Sequence, residues 1–279
     1  MQQWRWRSKL SSVVRRVLFF WVVILSTPVN TLSAQAQIPA QYFGMSMSAS
    51  RLYSAWPAVP FGSTRLWNTR TGWAQLNGAP LSYDWSILDM WLDAAQTHGV
   101  DVLYTFGQTP QWASSKPSDS ICQYGPGECD PPNDLNADGT GTNLHWKNFV
   151  IALVTHAAGR IKYWELWNEP QGGVYWTGTF AQMVRLAKDA RAIILSLDPN
   201  AILLSPGTGL QHKAVAWTTK YLAAGGGQYA DVIAAHGYVN GYCPDTPPDP
   251  TVIPRRVSSF RQMLKTYGQA GKPLWITEG

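Results

Sequence analysis

Ionisable and sulfur-bearing side chains are sparse in this sequence of 279 residues: charged residues make up 14%, histidine occurs five times and cysteine three times. So few cysteines exclude a dense disulfide scaffold and a four-cysteine zinc site. No block of like charge interrupts the chain, which argues against an acidic or basic interaction tail. No internal repeat is evident, so solenoid and propeller architectures are set aside. Long apolar runs are also missing. The longest, Val17–Leu25, has nine residues, well short of the ~20 needed to cross a bilayer.

That short run sits in an N-terminal segment with the layout of a secretory signal. Arg5, Arg7, Lys9, Arg15 and Arg16 precede or border it, and Ala34-Gln35-Ala36 offers a small-x-small cleavage site. Residues 1–36 are therefore expected to be a signal peptide, and residues 37–279 to be secreted or periplasmic, without membrane attachment after cleavage. Five of the 22 Lys and Arg but none of the 17 Asp and Glu fall in the signal. The remainder is formally neutral, and the basic isoelectric point gives no support to a nucleic-acid partner.

The body of about 240 residues suits one barrel-sized domain. Short β-branched or aromatic runs alternate with longer amphipathic ones, which predicts parallel βα units. Seven strands are expected, at Tyr42–Ser48, Thr64–Trp67, Val102–Phe106, Ile161–Trp167, Ala201–Ser205, Val232–His236 and Pro273–Thr277. Helical patterns lie between them, among them Ile87, Leu88, Trp91, Leu92 and Ala95 before Gly99, and Thr179 to Leu197 before Asp198-Pro199-Asn200. The fold expected is a (β/α)8 TIM barrel truncated after its seventh strand. The irregular stretch Ser114–Thr142 exceeds ordinary connection lengths and is expected to be a functional loop. Within it, Cys122 and Cys129 are placed to pair, leaving Cys243 over. Asp134-x-Asn136-x-Asp138-Gly139 resembles the start of a calcium loop, but His145 stands where the closing bidentate Glu belongs, and the alternative is a polar loop capping the next helix. No metal or cofactor is assigned.

Chemistry concentrates at two strand ends. Breaking a glycosidic bond needs two facing carboxyl groups in different protonation states. Glu169 follows strand four in Trp167-Asn168-Glu169-Pro170, and Glu278 follows strand seven in Trp275-Ile276-Thr277-Glu278. Both fall at the C-terminal face, where barrel enzymes place their chemistry. Glu165, inside strand four, reads instead as a buried structural carboxylate.

These two motifs resemble the acid/base and nucleophile motifs of clan A glycoside hydrolases, most closely of glycoside hydrolase family 39. Thr64-Arg65-Leu66-Trp67, Phe106-Gly107-Gln108-Thr109-Pro110-Gln111-Trp112 and His236-Gly237-Tyr238 fall in the matching order. The resemblance implies a retaining, two-glutamate hydrolysis of β-linked glycosidic bonds in an oligo- or polysaccharide, with Glu169 as acid then base and Glu278 as nucleophile. It also implies that Asn168 binds the sugar 2-hydroxyl, that His236 and Tyr238 stand close by, and that Arg65 keeps Glu278 ionised. Gln108 and Trp112 either line the sugar site or cap strand three. Trp176 and Tyr175 are candidates for a stacking wall. A monomer is expected. The alternative reading is a carbohydrate-binding barrel or fragment without activity.

Overall fold

The structure is a computed structural model that describes residues 38–51, 53–239, 249 and 251–279. The expected signal peptide and Cys243 lie outside them. Residues Ile38–Gly279 form one compact unit. Its strands are β1 (Gly44–Ser46), β2 (Ser63–Leu66), β3 (Asp101–Thr105), β4 (Tyr163–Glu165), β5 (Ile202–Leu204), β6 (Thr208–Gly209), β7 (Ile233–His236) and β8 (Leu274–Glu278). The longer helices are α1 (Trp73–Leu76), α2 (Ser86–Thr97), α3 (Leu144–Ala157), α4 (Phe180–Leu197), α5 (His212–Ala223) and α6 (Val252–Thr266).

All strand pairs are parallel. β1 to β5 pair in sequence order, β6 pairs with β7 and β7 with β8. A parallel bridge from Leu204 to Val232 joins the two sheets. β6 resumes the path of β5 after Ser205-Pro206-Gly207, so β7 and β8 occupy the sixth and seventh positions of a barrel. The fold is thus a (β/α)8 barrel in which the described residues fill seven of eight strand positions. Among those residues β1 and β8 do not pair with each other, and Ile276 on β8 is 45% exposed.

Helices cover the outer face of the sheet because their apolar stripes follow the helical period. On α2 these are Leu88, Trp91, Leu92 and Ala95; on α3 they are Trp146, Phe149, Val150, Leu153, Val154 and Ala157. Alternation along β3 and β4 sends Tyr104 and Trp164 outward to meet them, where Phe106 stacks on Trp164 and Trp73 on Phe149. The opposite parity, Leu103 and Tyr163 with Leu204, Val232 and Ala234, fills the barrel interior.

The punctuation follows the expected residues. Gly99 leaves α2 with φ +65°. Thr179 caps α4 in a reciprocal capping box, its hydroxyl accepting from the Gln182 backbone while Gln182 accepts from the Thr179 N–H. The Asp134 loop acts as a cap. One Asp134 carboxylate oxygen accepts from the Leu144 and His145 backbone at the start of α3 and from the Thr142 hydroxyl, while Asp138 is engaged by Thr140. The residue at the cap position is Asn143, and the capping group is supplied from a distance by Asp134. Thr179→Ala removes half of the capping box and is expected to cost about 1 kcal/mol. Urea unfolding would measure it, and an unchanged midpoint would contradict this account of the α4 terminus.

Candidate active site

Arg65 organises the C-terminal end of the barrel. It projects inward from β2, is 4% exposed, and distributes its guanidinium among three partners. Nε donates to Glu165 Oε2 at 2.8 Å, Nη2 to Asn168 Oδ1 at 2.8 Å and Nη1 to Glu278 Oε2 at 2.9 Å. Glu165 is wholly buried, and its remaining acceptor capacity is used by the hydroxyls of Thr105 and Thr277, each at 2.7 Å. The structural reading of Glu165 holds: its charge is neutralised by Arg65 and its oxygens are satisfied.

Two backbone irregularities bring the other carboxylates to this centre. At the end of β4 the chain passes Glu169 with φ +43°, a left-handed conformation uncommon for a residue with a side chain. It is fixed by a bond from the Glu169 N–H to the Gly207 carbonyl at 2.8 Å, beside the Asn168–Gly207 bridge. Asn168 and Glu169 can therefore both face the cleft, which two successive residues of a regular strand cannot do. On β8, the register against β7 shifts so that His236 opposes Glu278, and Thr277 is the extra residue. Thr277 reaches Glu165 while its neighbour Glu278 reaches Arg65. The sequence reading put Glu278 beyond its strand; it is instead the strand's last residue.

His236 links the pair. Its Nδ1 lies 2.9 Å from Glu169 Oε1 and 3.6 Å from Glu278 Oε2, while the ring itself is buried. With Glu169 ionised, Nδ1 carries the proton and donates to it. Nε2 is buried without a hydrogen-bond partner, close to Gly207. The Tyr238 hydroxyl donates to Glu278 Oε1. Burial, then the bond to the Glu278 carboxylate, hold the Tyr238 phenol well above its ordinary range, so it stays a neutral donor. Glu169 and Glu278 retain about a quarter of their side-chain exposure. They face the solvent-accessible cleft while Arg65, Glu165 and His236 lie beneath.

Of the residues singled out in the sequence, Arg65, Asn168, Glu169, His236, Tyr238 and Glu278 come together. Trp112 does not join them. Its indole N–H is bonded to the Asn77 carbonyl at 2.8 Å and its ring packs edge-on against His145, which is a role in the helix layer. Gln108 is buried beside Gly72, with φ +64°, and its contacts are not to the carboxylates. Trp176 is buried against Trp167 and forms no exposed wall. The Ser114–Thr142 loop carries the Cys122–Cys129 disulfide and is tied to the segment after β4 by Gln123 N–H to Val174 O and Thr177 N–H to Cys129 O. It brings Tyr124 edge-on to Trp67, its hydroxyl donating to Asn68 at 2.8 Å. The Tyr124 phenol is pushed up to about 12, chiefly by burial and in part by the charges of its neighbours, Glu278 among them. Neither Tyr124 nor Gly207, Thr105 and Thr277 stood out in the sequence.

No protein-family model and no curated protein matches the sequence. The fold does match solved structures, among them a family 39 β-xylosidase from Caulobacter crescentus (18% identity, TM-score 0.61, covering 86% of this chain and 54% of that one). A glucosidase from Croceicoccus marinus is similar at 17% identity and TM-score 0.58, over 84% of this chain and 50% of that one. Xylanase 10B from Thermotoga maritima is similar at 16% and 0.52, over 85% and 69%. The chain spans about half the length of the first two. At these identities the likeness establishes the barrel fold.

Two substitutions probe the centre. Arg65→Met leaves the buried Glu165 charge uncompensated and is expected to destabilise by about 3–5 kcal/mol, with the double variant Arg65→Met/Glu165→Met recovering most of it. Chemical denaturation of the single and double variants measures this, and strictly additive losses would contradict the pairing. At Gly207, an added Cβ would lie 2.5 Å from His236 Nε2 and 2.6 Å from Glu165 Oε1. Gly207→Ala is therefore expected to displace the imidazole at a cost of about 1–3 kcal/mol. A shifted His236 Nδ1 resonance would report it, and an unchanged resonance with unchanged stability would refute the close fit.

Proposed function

We propose that the chain is the barrel of a retaining glycosidase that hydrolyses β-linked O-glycosidic bonds in an oligo- or polysaccharide, acting outside the cytoplasm after loss of residues 1–36. The observation that carries this reading is the shared contact of Glu169 and Glu278 with one imidazole nitrogen, at 2.9 and 3.6 Å. Those two carboxylate oxygens can be no further apart than these distances together. That favours the closer spacing of retaining enzymes over the wider gap that inverting enzymes leave for a water. Solved structures of the same fold include a glucosidase, a β-xylosidase and a xylanase, and these agree with a glycosidase.

In this reading Glu278 is held as a carboxylate by Arg65 and attacks the anomeric carbon while Glu169 protonates the departing oxygen. The C–O glycosidic bond breaks and an ester to Glu278 forms. Glu169, now ionised, takes a proton from water; the resulting C–O bond displaces Glu278 and restores both groups. Tyr238 and Arg65 each bind one oxygen of Glu278, fixing the plane of its carboxylate for attack. The Asn168 amide, its oxygen committed to Arg65, keeps its N–H groups for a sugar hydroxyl.

Glu278→Ala is expected to lower the hydrolysis of aryl β-glycosides by about four orders of magnitude or more. Glu169→Ala is expected to lose about 10²–10⁴-fold, least with the best leaving groups. NMR of the first-formed anomer should show retention. Inversion, or activity that survives Glu278→Ala, would overturn the assignment.

A further inference from the structure

The ionisable side chains of residues 37–279 balance in number but not in place. From Asp84 to Asp138 the sequence holds nine acidic residues and one basic one, Lys116, whereas α5 and α6 hold six basic residues and no acidic one. α2 follows the second strand position of the barrel and the Ser114–Thr142 loop the third, while α5 and α6 follow the fifth and sixth. The two charge populations therefore lie on opposite flanks, and a neutral total hides a dipolar surface.

Elsewhere Arg160, Lys162, Arg185 and Arg191 each meet an aspartate at 2.8 or 2.9 Å. On α5 and α6, Lys213, Lys220, Arg261 and Lys265 are exposed and have no ion-pair or hydrogen-bond partner among the described residues. Lys213 and Lys220 are about 10 Å apart along their helix and Arg261 and Lys265 about 6 Å, each pair on one face. Lys213 also stands in the first turn of α5 and Arg255 in that of α6, where the helix dipole favours an acidic residue and neither helix has one. Helix stability therefore does not account for the array. Both helices begin at the cleft end of the barrel: α5 starts just past β6, and Arg256 in α6 donates to the Tyr238 carbonyl at 2.8 Å. The charges form a stripe from the rim of the cleft down the outer wall.

We infer that the α5–α6 flank is a docking surface for a linear anionic polysaccharide, which lies along Lys213, Lys220, Arg261 and Lys265 and holds the protein on an acidic matrix beside its cleft. Cations without internal partners suit this task, because no ion pair has to be broken when the polymer arrives. The acidic flank across the barrel repels the same polymer and so fixes which side of the protein faces it. Neither helix exposes a large apolar side chain, and Tyr221, Leu222, Phe260 and Leu264 are committed to the core. A bilayer would thus find nothing to take up beneath its headgroups. The proposed export places the chain among extracellular polymers rather than nucleic acids. The inference rests on the placement of charge and not on the glycosidase reading.

Binding to immobilised polygalacturonate, followed by biolayer interferometry, tests it. The full chain should bind at about 0.02 M salt and lose nearly all affinity by about 0.5 M, as the screening length falls from about 20 Å to about 4 Å. Lys213→Glu/Lys220→Glu and Arg261→Glu/Lys265→Glu should each weaken binding about tenfold or more. Lys147→Glu/Lys188→Glu, on α3 and α4, changes the net charge equally and should weaken it by less than about threefold. Arg261→Gln/Lys265→Gln should act in the same direction as the reversal but less strongly, which keeps the test sound if reversal disturbs α6. No binding at low salt, an equal loss in the α3–α4 variant, or tighter binding to phosphatidylglycerol vesicles or duplex DNA than to polygalacturonate would overturn the assignment. Each of these readouts is obtained whether or not the protein hydrolyses glycosides, so the two readings fail separately.

Discussion

The buried pair of Arg65 and Glu165 is the constraint on which the site depends. A guanidinium 4% exposed and a carboxylate wholly buried are tolerable inside a barrel only because each is matched: Glu165 by Arg65, Thr105 and Thr277, and Arg65 by Glu165, Asn168 and Glu278. The pair spans β2, β3, β4 and β8, so four strands converge on one charge network. A guanidinium suits this better than an ammonium would, because its planar fork sends donors in fixed and different directions. The same cation that neutralises the structural carboxylate therefore also orients the amide of Asn168 and one oxygen of Glu278. Stability and site geometry here rest on the same hydrogen bonds.

A regular strand presents alternate side chains to one face, yet this cleft uses Asn168 next to Glu169 and Thr277 next to Glu278. Both exceptions arise from local departures from strand geometry, a left-handed φ at Glu169 and a register shift before Glu278. Each departure is supported by a neighbour. The Gly207 carbonyl holds the Glu169 backbone, and the Gly237 N–H is bonded to the Glu278 carbonyl. The absence of a side chain at Gly207 also leaves room for the His236 ring that lies between the two glutamates. The helix layer contributes rigidity to these placements through the stacked rings of Trp73, Phe149, Phe106 and Trp164.

What could be read from the sequence follows from these facts. Strands three to seven were legible because their apolar runs are bounded by turn residues, and Glu169 and Glu278 because they follow such runs immediately. β2, β3 and β8 have the expected length displaced by one residue, whereas other strands proved shorter, β4 only Tyr163–Glu165, since Leu166 to Asn168 already depart toward the cleft. Glu165 was legible as structural from its position alone. Trp112 was not legible as a packing residue: an indole after a strand looks the same whether its N–H meets a sugar or the Asn77 carbonyl. Gly207 and Thr277 carry no local signal, because their importance lies in the distance to groups far along the chain. The Asp134 loop showed its oxygen donors but not their use, which the fold assigns to the first turn of α3.

The Ser114–Thr142 loop needs a different source of order from the barrel beneath it. Among its residues Cys122, Cys129, Pro131, Pro132 and Leu135 are the buried apolar ones, so hydrophobic burial contributes little to fixing its shape. The Cys122–Cys129 bond closes a short ring, and such a ring restricts the unfolded chain by only about 2–3 kcal/mol. Its larger effect is local. It fixes the turn that carries Tyr124 and Glu128, while Thr177 holds Cys129 and Asp130 against the segment that follows Glu169. The loop is thereby tied directly to the strand end that presents the acid/base candidate. A shift of that strand end would move Tyr124 and Glu128 with it, so the loop and the carboxylate centre are held in register by covalent and hydrogen bonds rather than by a shared core.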